Sequence, residues 1–202
     1  MVSIANSQYW EQRYQEKTTR WDLGKASPPL VRLLNSPELT LKRGRIAVLG
    51  CGRGYDAMLF ADRGFDTIGF DFAPLAITEA ITLAQTTSNS AQFLQRDIFN
   101  LADEFSSYFD YVIEHTCFCA IEPKQRPNYV QIVQQILQPH GELIGVFFTH
   151  DRTGGPPFGV TLTQIKQYFE PKKFEIISLV PVINSVPERQ GEEHLGRFRV
   201  KE

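Results

Sequence analysis

From residue 46 onward the chain alternates short apolar runs with segments whose apolar residues recur at three- and four-residue spacing. The runs fall at 46–50, 66–71, 91–97, 109–114, 142–148 and 174–183, with a last one near 196–201. Each has the length of a buried strand. Between them, helices are predicted near 55–63, 74–86, 127–138 and 161–170. Pro74 and Pro127 suit first helical turns. Val130, Val133, Ile136 and Leu137 form an apolar stripe at helical spacing. Pro139-His140-Gly141 then predicts the end of that helix and a turn. Alternation of strand and helix implies an α/β fold, a mostly parallel sheet covered on both faces. The runs at 174–183 and 196–201 have no helix between them and are expected to pair as an antiparallel edge. Residues 1–40 read as a helical segment with a break at Ser27-Pro28-Pro29.

Composition narrows the class without naming a reaction. The 202 residues are 42% hydrophobic and 22% charged, with a net charge of -2. That charge leaves no electrostatic footprint for nucleic acid or an anionic membrane. No stretch reaches the roughly 18 apolar residues of a membrane span. The first residues lack the basic and apolar regions of a signal peptide, so a cytoplasmic location is expected. The three cysteines, Cys51, Cys117 and Cys119, form no disulfide framework. Cys117 and Cys119 would share one face of a strand. With no second pair to complete a zinc site, they read as small buried hydrophobes, and no metal is expected.

The first apolar run, Ile46-Ala47-Val48-Leu49, empties into Gly50, Gly52 and Gly54. Such a turn lets the backbone approach a nucleotide, with the amides of the following helix facing it. The dinucleotide fingerprint requires glycine or alanine where Tyr55 stands, and no Lys-Ser or Lys-Thr follows for a phosphate loop. The second run ends at Asp71, an acid placed to accept from ribose hydroxyls. The third ends at Asp97 beside Ile98, a pair suited to the amine and face of adenine. Either acid could instead cap the helix that follows it.

"VLGCGRGYD", "GFDFAPLAI", "RDIF" and "FDYVIEHTCFCAIEP" together resemble the successive motifs of class I S-adenosylmethionine-dependent methyltransferases. More narrowly, the chain resembles the thiopurine S-methyltransferase family, and within it the halide, thiocyanate and thiol methyltransferase branch. The narrower likeness rests on "YWEQRYQEKTTRWDLGKASPPL" at 9–30, "FCAIEP" at 118–123, "GGPPF" at 154–158 and "HLGRF" at 194–198. The resemblance implies a Rossmann-like sheet of seven strands, antiparallel only at the last strand. It implies a single methyltransferase domain over 1–202, with 1–40 as a helical cover and 41–202 as the core. The implied cofactor is S-adenosylmethionine, and the implied reaction is methyl transfer to a small thiol, thiocyanate or halide by a monomer or weak homodimer. Methylation of a small amine or a chalcogen compound, or cofactor binding without catalysis, are the rival readings.

The resemblance also assigns roles. Trp10 and Trp21 would lie against the cofactor, with Tyr14 where relatives carry a second tryptophan. Trp10 and Tyr14 are four apart and share a helix face. The three rings could serve as a lid near a sulfonium or as a plain hydrophobic anchor. Gly50, Gly52, Gly54, Asp71, Phe72, Asp97, Ile98 and Glu114 complete the expected cofactor set. Glu114 and His115 end the fourth strand, where open sheets bind ligands, and both are candidate catalytic residues. Relatives often have Asp-Tyr there. His115 is expected to bind the cofactor or deprotonate a thiol, with an ordinary loop histidine as the alternative. Phe147 and Phe148 predict an apolar mouth, Phe148 standing where some relatives place a tyrosine. Arg152 and Arg197 could draw in anionic substrates, or be solvated surface.

Overall fold

A computed structural model describes residues 3–37, 41–169 and 173–201. The cover contributes α1 (Ser7–Gln15) and α2 (Pro28–Asn35). Asn6 caps α1 by accepting from the Gln8 amide. Pro28, in the segment that reads as a break, opens α2 in its first turn. The core then runs β1 (Arg45–Leu49), α3 (Tyr55–Ala61), β2 (Asp66–Asp71), α4 (Pro74–Thr86), β3 (Gln92–Gln95), α5 (Ala102–Phe105) and β4 (Phe109–His115). It continues with α6 (Arg126–Ile136), β5 (Leu137–Phe148), α7 (Leu162–Tyr168), β6 (Phe174–Pro181) and β7 (Glu193–Val200). Single turns of 3-10 helix lie at Ile98–Asn100, Pro123–Gln125 and Pro187–Arg189.

The seven strands form one sheet in the order β3-β2-β1-β4-β5-β7-β6. β7 pairs antiparallel with both β5 and β6, so β6 runs with the other five. The two final strands pair as their apolar runs imply. β7, however, is slotted between β5 and β6, which leaves β6 on the edge.

Strand alternation divides the interior into two cores. Ala47 and Leu49 of β1 face the side covered by α6 and α7, with Phe109, Val112, Tyr129, Val133 and Ile165. Ile46 and Val48 face α2, α3 and α4, with Leu30, Phe60, Ile77 and Ala80. A strand buried on both faces has no polar side to alternate, which is why β1 reads as one apolar run.

Two local expectations are corrected. Helix α6 stops at Ile136, and Leu137 already pairs with Phe109. Pro139-His140-Gly141 makes no turn; it sits inside β5, where the register shifts before Tyr111 pairs with Glu142. His140 there takes a positive φ of 64°. Cys117 and Cys119 are not on a strand, because β4 ends at His115 and both lie in the loop beyond it. Among the described residues no helix is long and apolar enough to cross a membrane.

Candidate active site

The strand order reverses direction between β1 and β4. In an open α/β sheet that reversal leaves a crevice at the carboxyl ends of the strands. A cavity of about 750 Å³ lies there, a size suited to a cofactor together with a small second molecule. It extends along the sheet's carboxyl edge. Asp71, Phe72, Asp97 and Ile98 line it after β2 and β3, Gly50 after β1, and Thr116, Cys117, Cys119 and Ala120 after β4. Phe148, Pro156, Pro157 and Arg189 line it on the side of β5 and β7. Trp10, Tyr14 and Trp21 of the cover form its outer wall.

The glycine turn is built from backbone that other residues resist. Gly50, Gly52 and Gly54 have φ of 60°, 54° and 81°. Asp71 holds this turn by accepting from the Gly52 amide at 3.0 Å, and caps its own strand end by accepting from Ala73 at 2.9 Å. Burial raises its pKa, while those amides oppose the rise. Asp97 accepts from the Phe99 amide at 3.0 Å and also lines the cavity. Capping and cavity lining are thus compatible roles for both acids.

The cover docks through its aromatics and a set of polar ties. Trp21 meets Trp10 and Tyr14 edge to face, with ring centroids 5.3 and 5.9 Å apart. Glu11 accepts from the Leu75 amide at 2.9 Å, at the start of α4. Arg53 pairs with Asp22 of the cover and with Glu79 of α4. The Ser27 amide donates to Asp56 of α3 at 2.7 Å. Burial raises the Tyr14 pKa strongly, so its hydroxyl stays protonated.

Several expected site residues lie elsewhere. Gly54 packs behind the turn, where an added Cβ would meet the Phe93 ring at 2.4 Å. Its role is close packing. Glu114 is fully buried beneath the loop after β4, and one carboxylate oxygen accepts from the Phe118 amide at 2.8 Å. Burial pushes its pKa up to about 7. Phe147 points into the core against Phe118, Phe169 and Phe198, so of the phenylalanine pair Phe148 alone lines the cavity. Arg152 pairs with Glu192 and holds its guanidinium 5.5 Å from the Phe148 ring, outside the cavity lining. Arg197 is committed with Arg199 to Glu142, donating at 2.6 Å, away from the cavity.

His115 is also displaced from its expected role. It borders a smaller pocket of about 60 Å³ behind the glycine turn, and not the large cavity. Its Nδ1 lies 3.0 Å from an Asp56 oxygen and its Nε2 lies 3.0 Å from the Arg189 guanidinium. A carboxylate only accepts and a guanidinium only donates. The ring is therefore the neutral Nδ1–H tautomer, with its free lone pair already taken. A base needs that lone pair facing the substrate.

Arg189 is the residue the sequence reading missed. It lies on a single 3-10 turn within a polar Pro-Glu-Arg-Gln-Gly segment that carries no periodic signal. It is 9% exposed. Its guanidinium donates to the Trp21 carbonyl at 2.7 Å and lies 3.5 Å from Glu193. Cys117 and Cys119 also emerge on the cavity wall. Burial pushes both thiols up, Cys119 to about 12, so neither offers a thiolate.

Arg126 anchors the loop that carries the prolines. This buried side chain donates to the carbonyls of Phe158 and Gly159, both at 2.9 Å. The Phe158 amide bonds the Cys119 carbonyl at 2.6 Å. The Gly-Gly-Pro-Pro turn is thereby tied to the loop after β4, and both segments line the cavity.

Comparison with known proteins identifies the family and the fold. The family model described as thiopurine S-methyltransferase matches residues 5–202. "Probable thiol methyltransferase 2" of Arabidopsis thaliana is 35% identical over 202 residues, covering 98% of this chain and 88% of that protein. "Thiocyanate methyltransferase 1" of the same plant is 32% identical, covering 94% and 83%. A solved structure of Burkholderia thailandensis 1,6-didemethyltoxoflavin-N1-methyltransferase, with its substrate and S-adenosylhomocysteine bound, superposes with a TM-score of 0.77 at 17% identity. It covers 100% of this chain and 92% of its own, and shares the fold.

Proposed function

The chain belongs to the thiopurine S-methyltransferase family of S-adenosylmethionine-dependent enzymes, and from that premise we propose that its methyl acceptor is a small, soft and already anionic nucleophile: a thiolate, thiocyanate or heavy halide. The observation that carries the proposal is one buried guanidinium, Arg189, beside the apolar Phe148, Pro156, Pro157 and Ala120 on a wall that Glu122, Gln125 and Glu188 also line.

The residues present fit the cofactor. Asp71 would accept from ribose hydroxyls with the lone pairs its amide partners leave free, and Phe72, Asp97 and Ile98 would surround adenine. The Gly50–Gly52 backbone would take the amino-acid end. The rings of Trp10, Tyr14 and Trp21 would flank the positive sulfur. When bound, S-adenosylmethionine supplies an electrophilic methyl group on that sulfur.

Everything else falls to the chain's own groups. The apolar part of the cavity wall strips water from the acceptor, at modest cost for a polarizable anion and high cost for a strongly hydrated one. Arg189 supplies a positive counter-charge through the N–H groups its protein partners leave free. The cover excludes water and fixes the approach in line with the methyl. An anionic acceptor brings no proton to remove, which agrees with the absence of a free imidazole on the described cavity wall. The proposal includes a single domain over 1–202 acting in the cytoplasm as a monomer or weak homodimer. Three unpaired cysteines suit such a reducing compartment.

The test is methyl transfer from labelled S-adenosylmethionine to iodide, thiocyanate, a small thiol, chloride and a primary amine, with the product identified by mass. Methylated iodide, thiocyanate and thiol are expected, with chloride far slower. Methylation of the amine alone would overturn the assignment.

A further inference from the structure

Arg189 lines the cavity and is held there by hydrogen bonds to other segments. Its Nη2 donates to the Trp21 carbonyl of the cover, and its Nη1 to His115 Nε2 at 3.0 Å. Asp56 fixes the other side of the imidazole, and its second oxygen accepts from the Ser27 amide of the cover. One chain of contacts therefore joins the cover, α3, the end of β4 and Arg189, which lines the cavity along with Arg13 and Arg20.

We propose that His115 is a positioning residue whose neutral Nδ1–H tautomer, set by Asp56, holds Arg189 toward the acceptor, and that protonation of His115 releases it. The inference rests on the reading of Arg189 as the acceptor's counter-charge. The charged groups around the ring dictate the direction. Asp56 comes from α3, Arg189 from the 3-10 turn, Glu193 from β7, and Glu114 precedes the ring on β4. A proton taken from solvent turns Nε2 into a donor facing the donors of Arg189. Glu193 Oε1 lies 4.0 Å from Nε2 and 3.5 Å from the Arg189 Nη1. The imidazolium takes that carboxylate, and Arg189 loses two of its three partners. The acceptor site loses its aimed cation, while the bond from Arg189 to the Trp21 carbonyl remains.

The reaction itself needs no proton transfer when the acceptor is thiocyanate, so its pH dependence reports on the protein. The KM for thiocyanate is measured from pH 5.5 to 8, alongside the imidazole nitrogen resonances of His115. In the wild type, KM rises about tenfold on acidification, the effect of one lost charged hydrogen bond, and the pH 8 spectrum shows the Nδ1–H tautomer. His115→Gln, whose amide oxygen can accept from Arg189 without titrating, keeps a low and pH-independent KM. Asp56→Asn is the second variant: its one oxygen serves Ser27, so its amide donates to Nδ1 and imposes the Nε2–H tautomer. It shows a high KM even at pH 8. The same acidic rise in His115→Gln, or an Nε2–H tautomer in the wild type at pH 8, overturns the proposal. If the wild type methylates no anion at any pH, the functional reading fails, and the tautomer spectra of wild type and Asp56→Asn still decide the relay.

Discussion

The guanidinium of Arg189 donates to the backbone carbonyl of Trp21 at 2.7 Å, joining residues 168 positions apart. One end of this contact belongs to the helical cover and the other to the turn before β7. A side chain that lines the cavity therefore also fastens the helical cover.

Loss of that tie should be visible in exchange. Arg189→Ala removes the bond to Trp21, and Arg53→Ala removes the pairing with Asp22. In hydrogen exchange, amides of α1 and of residues 18–25 are expected to lose protection in both variants, and in the wild type to gain it when S-adenosylhomocysteine is added. Equal protection of this segment in all four states would make it a fixed anchor with no lid function.

Asp71 should be felt directly in cofactor affinity. It is buried at the end of β2, lines the cavity and holds the Gly52 amide. Asp71→Ala is expected to weaken S-adenosylhomocysteine binding by about 1.5–3 kcal/mol, the scale of a lost charged hydrogen bond. NAD is expected not to bind. Calorimetry giving the wild-type affinity for the variant would remove Asp71 from the site.

Glu114 carries a pH signature of its own. Burial holds its folded pKa at about 7, above the ordinary 4.5. The folded state then binds more protons than the unfolded state between those values. Its contribution is fully present below pH 4.5 and is lost as pH rises to about 7. Glu114→Gln removes this loss. Urea unfolding of the two proteins should show the variant gaining relative stability from pH 4.5 to 8, by up to about 3 kcal/mol. A gap between them that stays constant with pH would mean that Glu114 titrates alike in the folded and unfolded states.

What the sequence disclosed follows from which forces are local. Strands such as β1 and β4 are buried on both faces, so their apolar runs announced them. The groups at strand ends, Gly50, Asp71, Asp97 and Ile98, were legible because a strand's last residue and its topological neighbours fix where a side chain emerges. The cover aromatics were legible through the specific "WDLG" and "YW" stretches. Two kinds of feature were hidden. Short 3-10 turns such as Pro187–Arg189 have no period, so Arg189 gave no signal before the hairpin of β6 and β7 brought it to the cavity. Side-chain direction was the other. Phe147 and Phe148 are neighbours of equal hydrophobicity, and only the pleat of β5 sends one into the core and the other to the cavity. Arg197 looked available for a substrate, yet its register opposite Ile144 sets it beside Glu142. The imidazole of His115 stood at the right strand end for a base, and the long-range partners Asp56 and Arg189 took both nitrogens.

The most direct measurement is the pH dependence of kcat/KM above neutrality for a series of thiols of graded pKa, with iodide as the proton-free reference. An enzyme that accepts an already formed anion has no base of its own to titrate. The thiol rate should rise with pH until the thiol itself is ionised, near 8.5 for an ordinary thiol. That limb should move to lower pH with more acidic thiols, while the iodide profile stays flat over the same range. A limb fixed at one pH for every thiol, or a primary amine methylated faster than any of them, would contradict methyl transfer to a soft anion beside Arg189.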